Sequence, residues 1–210
     1  EQVVIKTDVT SGLVSVIAKE YGVEVIDDLL VGFKYIGNEM VKLEEAGRRD
    51  DFLLAAEESH GYLLGTYAHD KDASAPAAVL CEQAAALKKK GETMGKYLDE
   101  IYKKFGYYSN DLKDLIILGA TGRDKIEKIQ AAMRDNPPQK IGSRGVTKTK
   151  DYLEGSPVLT ETDRMSRDVL QFWVEPPEGI SHIKLTLRPS GTQPKTKFYV
   201  EVGAQKWAGE

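Results

Sequence analysis

What this sequence has little of narrows it first. A single cysteine, Cys81, stands among 210 residues. That excludes an internal disulfide and makes a reducing compartment, the cytoplasm, the default. No apolar run approaches the roughly 18 residues of a membrane-spanning helix, and no charged-then-apolar signal segment opens the chain. Neither sign of charge dominates: 29 Lys and Arg face 33 Asp and Glu, for a net charge of −4. Nothing therefore suggests a nucleic-acid partner or an anionic membrane surface, and any bound anion must be held by local geometry. Internal repeats, heptad arrays and low-complexity tracts are absent as well.

What is present suits a folded protein: 41% of residues are hydrophobic and 30% charged, enough to bury a proper core. Val3-Val4-Ile5, Val23-Glu24-Val25-Ile26 and Phe52-Leu53-Leu54-Ala55-Ala56 read as short buried strands. A helix follows the first, with Thr10 as N-cap and Leu13, Val16, Ile17 and Tyr21 on one face. Another fits residues 36–46. This alternation predicts a three-layer α/β unit with a mostly parallel sheet, whose carboxyl edge would gather the segments after each strand. Two more helices are predicted from about Asp72 to Lys90 and from Thr93 to Gly106. The second carries Met94, Tyr97, Leu98, Ile101, Tyr102 and Phe105 as a core-facing stripe.

Beyond Gly106 the pattern changes to Leu115-Ile116-Ile117-Leu118, a helix near Lys125–Arg134 and strands separated by turns. Val169–Val174, His182–Leu187 and Thr196–Val202 read as antiparallel sheet. A small α+β domain is expected at 108–210 after an α/β domain at 1–107.

The last two strands frame Arg188-Pro189-Ser190-Gly191-Thr192-Gln193-Pro194. Alternation sends Ile183, Leu185 and Leu187 to one face and Lys184, Thr186 and Arg188 to the other. A mere reversal needs only two residues. This turn adds a guanidinium, two hydroxyls and a glycine amide, the parts of a phosphate cradle, with Lys195 and Lys197 adding attraction. Read from chemistry alone, it is either a phosphate site or an unusually polar loop.

After the third strand comes Glu57-Glu58-Ser59-His60-Gly61. In an extended segment Glu57 and Ser59 share a side, as sugar hydroxyls would require. Ser59 and His60 would point apart, too far for a nucleophile and base. Glu57-Glu58 is an acid and base pair or simply an exposed acidic pair. His69-Asp70-Lys71-Asp72 reads as helix capping by Asp72 with a local ion pair, because three consecutive residues cannot converge on one metal. His182 has no ligand partner nearby in sequence.

"GFKYIG" at 32–37, "EESHGY" at 57–62, "DKDA" at 70–73 and "RPSGTQPKTKFYVEV" at 188–202 together resemble the C-terminal half of an α-D-phosphohexomutase. The superfamily is that of the phosphoglucomutases and phosphomannomutases, and the likeness covers nearly all of the chain. It implies the third and fourth of four domains. It implies an activity that moves a phosphoryl group between the 1- and 6-positions of a hexose through a phosphoserine and a bisphosphorylated intermediate. Glucose is favoured by the Glu-Glu-Ser form of the sugar loop, with mannose or a pentose phosphate as alternatives. By position, Glu57, Ser59 and Lys34 are similar to the family's sugar contacts. Arg188, Ser190, Gly191, Thr192 and Lys197 are similar to its phosphate contacts. Gln193 replaces an acidic residue, and His69 stands where arginine is frequent. Neither a Ser-His-Asn-Pro segment nor an Asp-Gly-Asp metal loop occurs, so no catalytic residue and no Mg2+ ligand is assigned. The implied partners are a hexose phosphate and the N-terminal half of the same protein. Without that half the chain is expected to be inactive and to leave an apolar face near its first strand uncovered. The alternative reading is a stand-alone sugar-phosphate-binding module.

Overall fold

The computed structural model describes residues 1–119, 121–154, 160–191 and 193–204. The chain forms two compact units, one spanning Glu1–Tyr107 and one beginning at Tyr108.

In the first unit the apolar runs become strands β1 (Val3–Thr7), β2 (Glu24–Leu29) and β3 (Phe52–Glu57). β1 lies between β2 and β3 and is parallel to both. A strand with no local sequence signal, β4 (Gly61–Leu64), returns antiparallel beside β3 and completes the order β2-β1-β3-β4. Helices α1 (Gly12–Glu20) and α2 (Phe33–Glu45) connect the parallel strands. Val3, Ile5, Ala55 and Leu63 from the sheet meet Phe33, Ile36 and Met40 of α2 in the core.

Two local expectations give way. Ser11, not Thr10, caps α1, its Oγ accepting from the Leu13 N–H at 3.3 Å. The helix also buries Ser15 and Ala18 while Tyr21 stays 67% exposed. The reason is a polar anchor: Ser15 donates to Asp27 of β2 at 2.8 Å, which turns the small-residue face inward.

Helices α3 (Ser74–Lys89) and α4 (Met94–Phe105) follow. Thr93 caps α4 through the Lys96 N–H. The apolar stripe of α4 is not core. The helix buries no residue, and Met94, Tyr97 and Leu98 are about two-fifths exposed.

The second unit is an antiparallel sheet with the order β5-β10-β9-β8-β7-β6. Its strands are β5 (Tyr107–Ile116), β6 (Lys140–Ile141), β7 (Arg144–Asp151), β8 (Leu170–Val174), β9 (Ile180–Pro189) and β10 (Lys195–Ala204). Helix α5 (Gly122–Asp135) supplies Met133 to a core of Leu170, Phe172 and Leu187. A short helix unforeseen from sequence, α6 (Glu161–Arg167), has Thr160 as its N-cap. The opposite face of the sheet is not simply solvated: Thr186 is 1% exposed and accepts a hydrogen bond from the Gln171 amide. Among the described residues no helix is long and apolar enough to cross a membrane.

Candidate functional site

In the first unit the parallel strands deliver their carboxyl ends to one edge. The β1 exit is fixed by an unusual lysine. Lys6 is 3% exposed and donates to the carbonyls of Thr10 at 3.0 Å and Thr7 at 3.3 Å. Thr7 and Thr10 share a hydroxyl contact at 2.7 Å, and Thr7 reaches the Glu58 carboxylate at 3.5 Å. Burying a polar group without a partner is costly, so this web holds the turn in one shape.

Glu57, Ser59 and Lys34 are all at this edge, but not as an extended segment would place them. Glu57 pairs directly with Gly61 across the β3–β4 hairpin, leaving Glu58, Ser59 and His60 as its loop. The loop closes because His60 adopts φ 57°, a left-handed conformation that histidine tolerates better than most side chains. Glu57 therefore turns inward and is 4% exposed, whereas Ser59 is exposed and donates to Glu58 at 3.2 Å. Glu57 and Glu58 are therefore not an exposed acidic pair. Lys34 occupies the first turn of α2, exposed, with its ammonium 4.9 Å from the Tyr35 ring. It shares the edge with Glu57 and Ser59.

Sequence reading missed the residue that gives Glu57 its setting. Lys71 donates to Glu57 Oε1 at 2.6 Å, and this bond holds the lysine above its ordinary pKa. The 69–72 segment is brought there by two close approaches. A Cβ on Gly37 would lie 2.7 Å from the His69 carbonyl, so only glycine lets the segment cross α2. The Asp72 N–H then donates to the Tyr62 carbonyl at 2.8 Å. Asp72 also accepts from Tyr67 at 2.6 Å and from the Ser74 and Ala75 amides at 3.0 Å. The Tyr67 bond, followed by the amides, keeps its carboxyl far below the usual carboxylate range. His69 bonds Glu44 at 3.0 Å. The "DKDA" signal was visible, but its target, fourteen residues away, was not.

In the second unit Arg188, Ser190, Gly191 and Lys197 line a single cleft of about 420 Å3. Thr192 lies outside the described residues. The loop is closed by its own amides: Ser190 N–H to the Lys195 carbonyl, Lys195 N–H to the Gln193 carbonyl, both at 2.8 Å, and Gln193 N–H to Ser190 Oγ at 3.3 Å. Those three amides are spent inside the loop, so among the described residues the Gly191 N–H is the loop amide left for an anion. Lys195 is partly neutralised by Asp114 at 2.7 Å.

Arg188 and Lys197 stand directly opposite each other in the β9–β10 register. Facing residues of an antiparallel pair share a side of the sheet, and like charges there destabilise it. Neither cation has a carboxylate partner among the described residues. Such a pair is relieved by an anion placed between the two heads.

His182, which has no ligand partner nearby in sequence, meets Glu201 of β10 at 3.0 Å, and its ring lies against Gly203, where a Cβ would come within 2.4 Å. Ser181 is 3.3 Å from that imidazole but donates to the Gly203 carbonyl at 2.8 Å. Its hydroxyl is committed to the fold.

A family profile described as phosphoglucomutase/phosphomannomutase, alpha/beta/alpha domain III, matches residues 1–105. A phosphoglucomutase of Staphylococcus aureus strain MRSA252 is 31% identical over 206 residues, covering 96% of this chain. The chain spans about a third, 36%, of that relative's length. Among solved structures, the open form of the Paramecium phosphoprotein pp63/parafusin, titled a phosphoglucomutase, superposes with a TM-score of 0.60 at 17% identity. It covers 99% of this chain and 34% of its own. A phosphoglucomutase/phosphomannomutase family protein from Burkholderia thailandensis gives 0.54 at 16% identity, covering 99% of this chain and 34% of its own. At these identities the two structures speak for the fold.

Proposed function

Because the chain belongs to the phosphoglucomutase/phosphomannomutase family, we propose that it is the substrate-binding C-terminal part of a cytoplasmic phosphohexomutase. The whole protein would interconvert hexose 1-phosphate and hexose 6-phosphate, glucose before mannose, through a phosphoserine and a bisphosphorylated sugar. The first unit supplies sugar recognition: Glu57, oriented by Lys71, and Ser59 and Lys34 at the same edge offer acceptors and donors to hydroxyl groups. The second supplies phosphate recognition through Arg188, Ser190, Gly191, Thr192 and Lys197.

The observation that carries this reading is the Arg188–Lys197 pair, which has no carboxylate partner among the described residues, at the mouth of a hydroxyl-bearing loop. Charge-assisted hydrogen bonds contribute about 1.5–3 kcal/mol each, so two cations and the loop donors suffice for a phosphate despite the net negative charge. The Mg2+ that the family implies does not fit here. No group of three His, Cys, Asp or Glu side chains among the described residues could hold a metal.

Calorimetry with glucose 1-phosphate tests the reading. Arg188→Ala and Ser190→Ala should each weaken binding at least several-fold, and a chain that binds nothing at millimolar ligand would refute independent recognition. A mutase assay of the full-length gene product across glucose, mannose, glucosamine and pentose phosphates tests the activity.

A further inference from the structure

The phosphate loop has a cleft on each side. Pro189, Ser190, Gly191, Gln193 and Met165 of α6 line both, so they form the partition. One cleft, about 420 Å3, holds Arg188, Lys195 and Lys197 and, among the described residues, no carboxylate. The other, about 490 Å3, holds Glu127, Glu161 and Asp168 with one cation, Arg123. A phosphate dianion is favoured on the first side, since Glu127 and Glu161 oppose it on the second, where Asp168 is paired with Arg134 at 2.8 Å. Arg123 nevertheless reaches the loop. Its Nη2 donates to the Gly191 carbonyl at 2.7 Å.

We propose that Arg123 is a positioning residue of the phosphate loop, which it anchors from the acidic side without touching the phosphate. The inference rests on the phosphate reading above. Arg123 is the second residue of α5, and α5 begins hard against the loop's exit. A Cβ on Gly122 would lie 2.0 Å from the Ile117 carbonyl and 3.2 Å from Pro194, and the Ile117 N–H donates to the Pro194 carbonyl at 3.0 Å. The helix start and the loop's exit are therefore locked together, and the guanidinium extends that lock to Gly191. Met165 closes the other flank, its sulfur 3.8 Å from where a Gly191 Cβ would stand. Glycine is the residue that loses most freedom on ordering, so a carbonyl held in advance removes part of the entropy that phosphate binding would otherwise cost. The weak approach to Glu127, 3.9 Å, does not compete for the guanidinium.

The test uses the whole chain with inorganic phosphate and glucose 1-phosphate as probes. Arg123→Ala should weaken both about 3- to 10-fold, the net scale of one ordinary hydrogen bond, because the lost bond acts on the loop and not on the phosphate. Arg123→Lys, which still reaches a carbonyl, should recover most of that loss, with unfolding midpoints unchanged. In ligand-free protein, amide hydrogen exchange at Ser190 and Gln193, whose N–H groups bond within the loop, should speed up in Arg123→Ala and return toward wild type in Arg123→Lys. Unchanged exchange in Arg123→Ala overturns the positioning role whatever the affinities do. Wild-type affinity in Arg123→Ala alongside a loss in Arg188→Ala overturns the positioning role and leaves the phosphate reading intact. Equal phosphate binding by wild type and Arg188→Ala, or none by wild type, overturns both.

Discussion

If the Arg188–Lys197 pair exists for an anion, removing one charge must push stability and affinity in opposite directions. Arg188→Met keeps most of the stem and deletes the guanidinium, which has no partner of its own to lose among the described residues. A directly opposed cross-strand pair is worth roughly 0.2–1 kcal/mol. Both side chains are only half-buried, so water and salt screen the repulsion toward the middle of that range, about 0.5 kcal/mol. For a unit of about 100 residues this raises the unfolding midpoint by about 2–4 °C in phosphate-free, low-salt buffer. Affinity for phosphate should fall about 10- to 100-fold, since a charge-assisted bond of about 1.5–3 kcal/mol disappears. Scanning calorimetry at 10 mM and 500 mM NaCl, with and without phosphate, reads both effects. The gain from Arg188→Met should shrink at high salt, and phosphate should stabilise wild type far more than the variant. A ligand-free variant less stable than wild type, or one that phosphate stabilises equally, would sink the argument.

Three further outcomes are expected. Lys71→Met leaves the buried Glu57 carboxylate without its cation and should lower stability and abolish sugar-dependent affinity, while inorganic phosphate still binds. The bond also sets a pH dependence. Lys71 is raised in the folded state, so its contribution is present below the ordinary lysine pKa and fades as pH rises through the folded value. Urea midpoints of wild type and Lys71→Met should therefore converge in strongly alkaline buffer. Gly61→Ala places a Cβ 2.4 Å from the Glu57 side chain, so it should displace that carboxylate and weaken glucose 1-phosphate more than inorganic phosphate in parallel titrations. Asp72, lowered chiefly by Tyr67, contributes above the ordinary aspartate pKa and loses that contribution as pH falls through its folded value. Acid titration should destabilise wild type relative to Asp72→Asn, and identical acid profiles would refute this.

The parallel strands and most helices were legible because each rests on a local pattern: β-branched runs for β1 and β2, helical spacing for α2 and α5. The cradle was legible because Arg188, Ser190, Gly191 and Lys197 lie within one hairpin. What escaped depended on partners distant in sequence. Nothing near Glu57 announces Lys71, and nothing near His182 announces Glu201. The sharp β3–β4 turn lacks the Asn-Gly or Asp-Gly signature, its left-handed position being taken by His60. The face of α1 was misassigned because Ser15 is buried through a hydrogen bond to Asp27, which hydrophobic spacing does not encode.

The register that opposes Arg188 to Lys197 has a kinetic consequence. The two cations are nine positions apart on one hairpin, and hairpins of this kind close in about 1–10 μs. The cradle's shape is thus available before the strand order around it is complete. The sugar edge differs, because the Thr7–Glu58 and Lys71–Glu57 contacts form only after β1, β3 and the 69–72 segment have found one another. Refolding should therefore restore phosphate recognition ahead of sugar discrimination, with non-local pairing setting the slower clock.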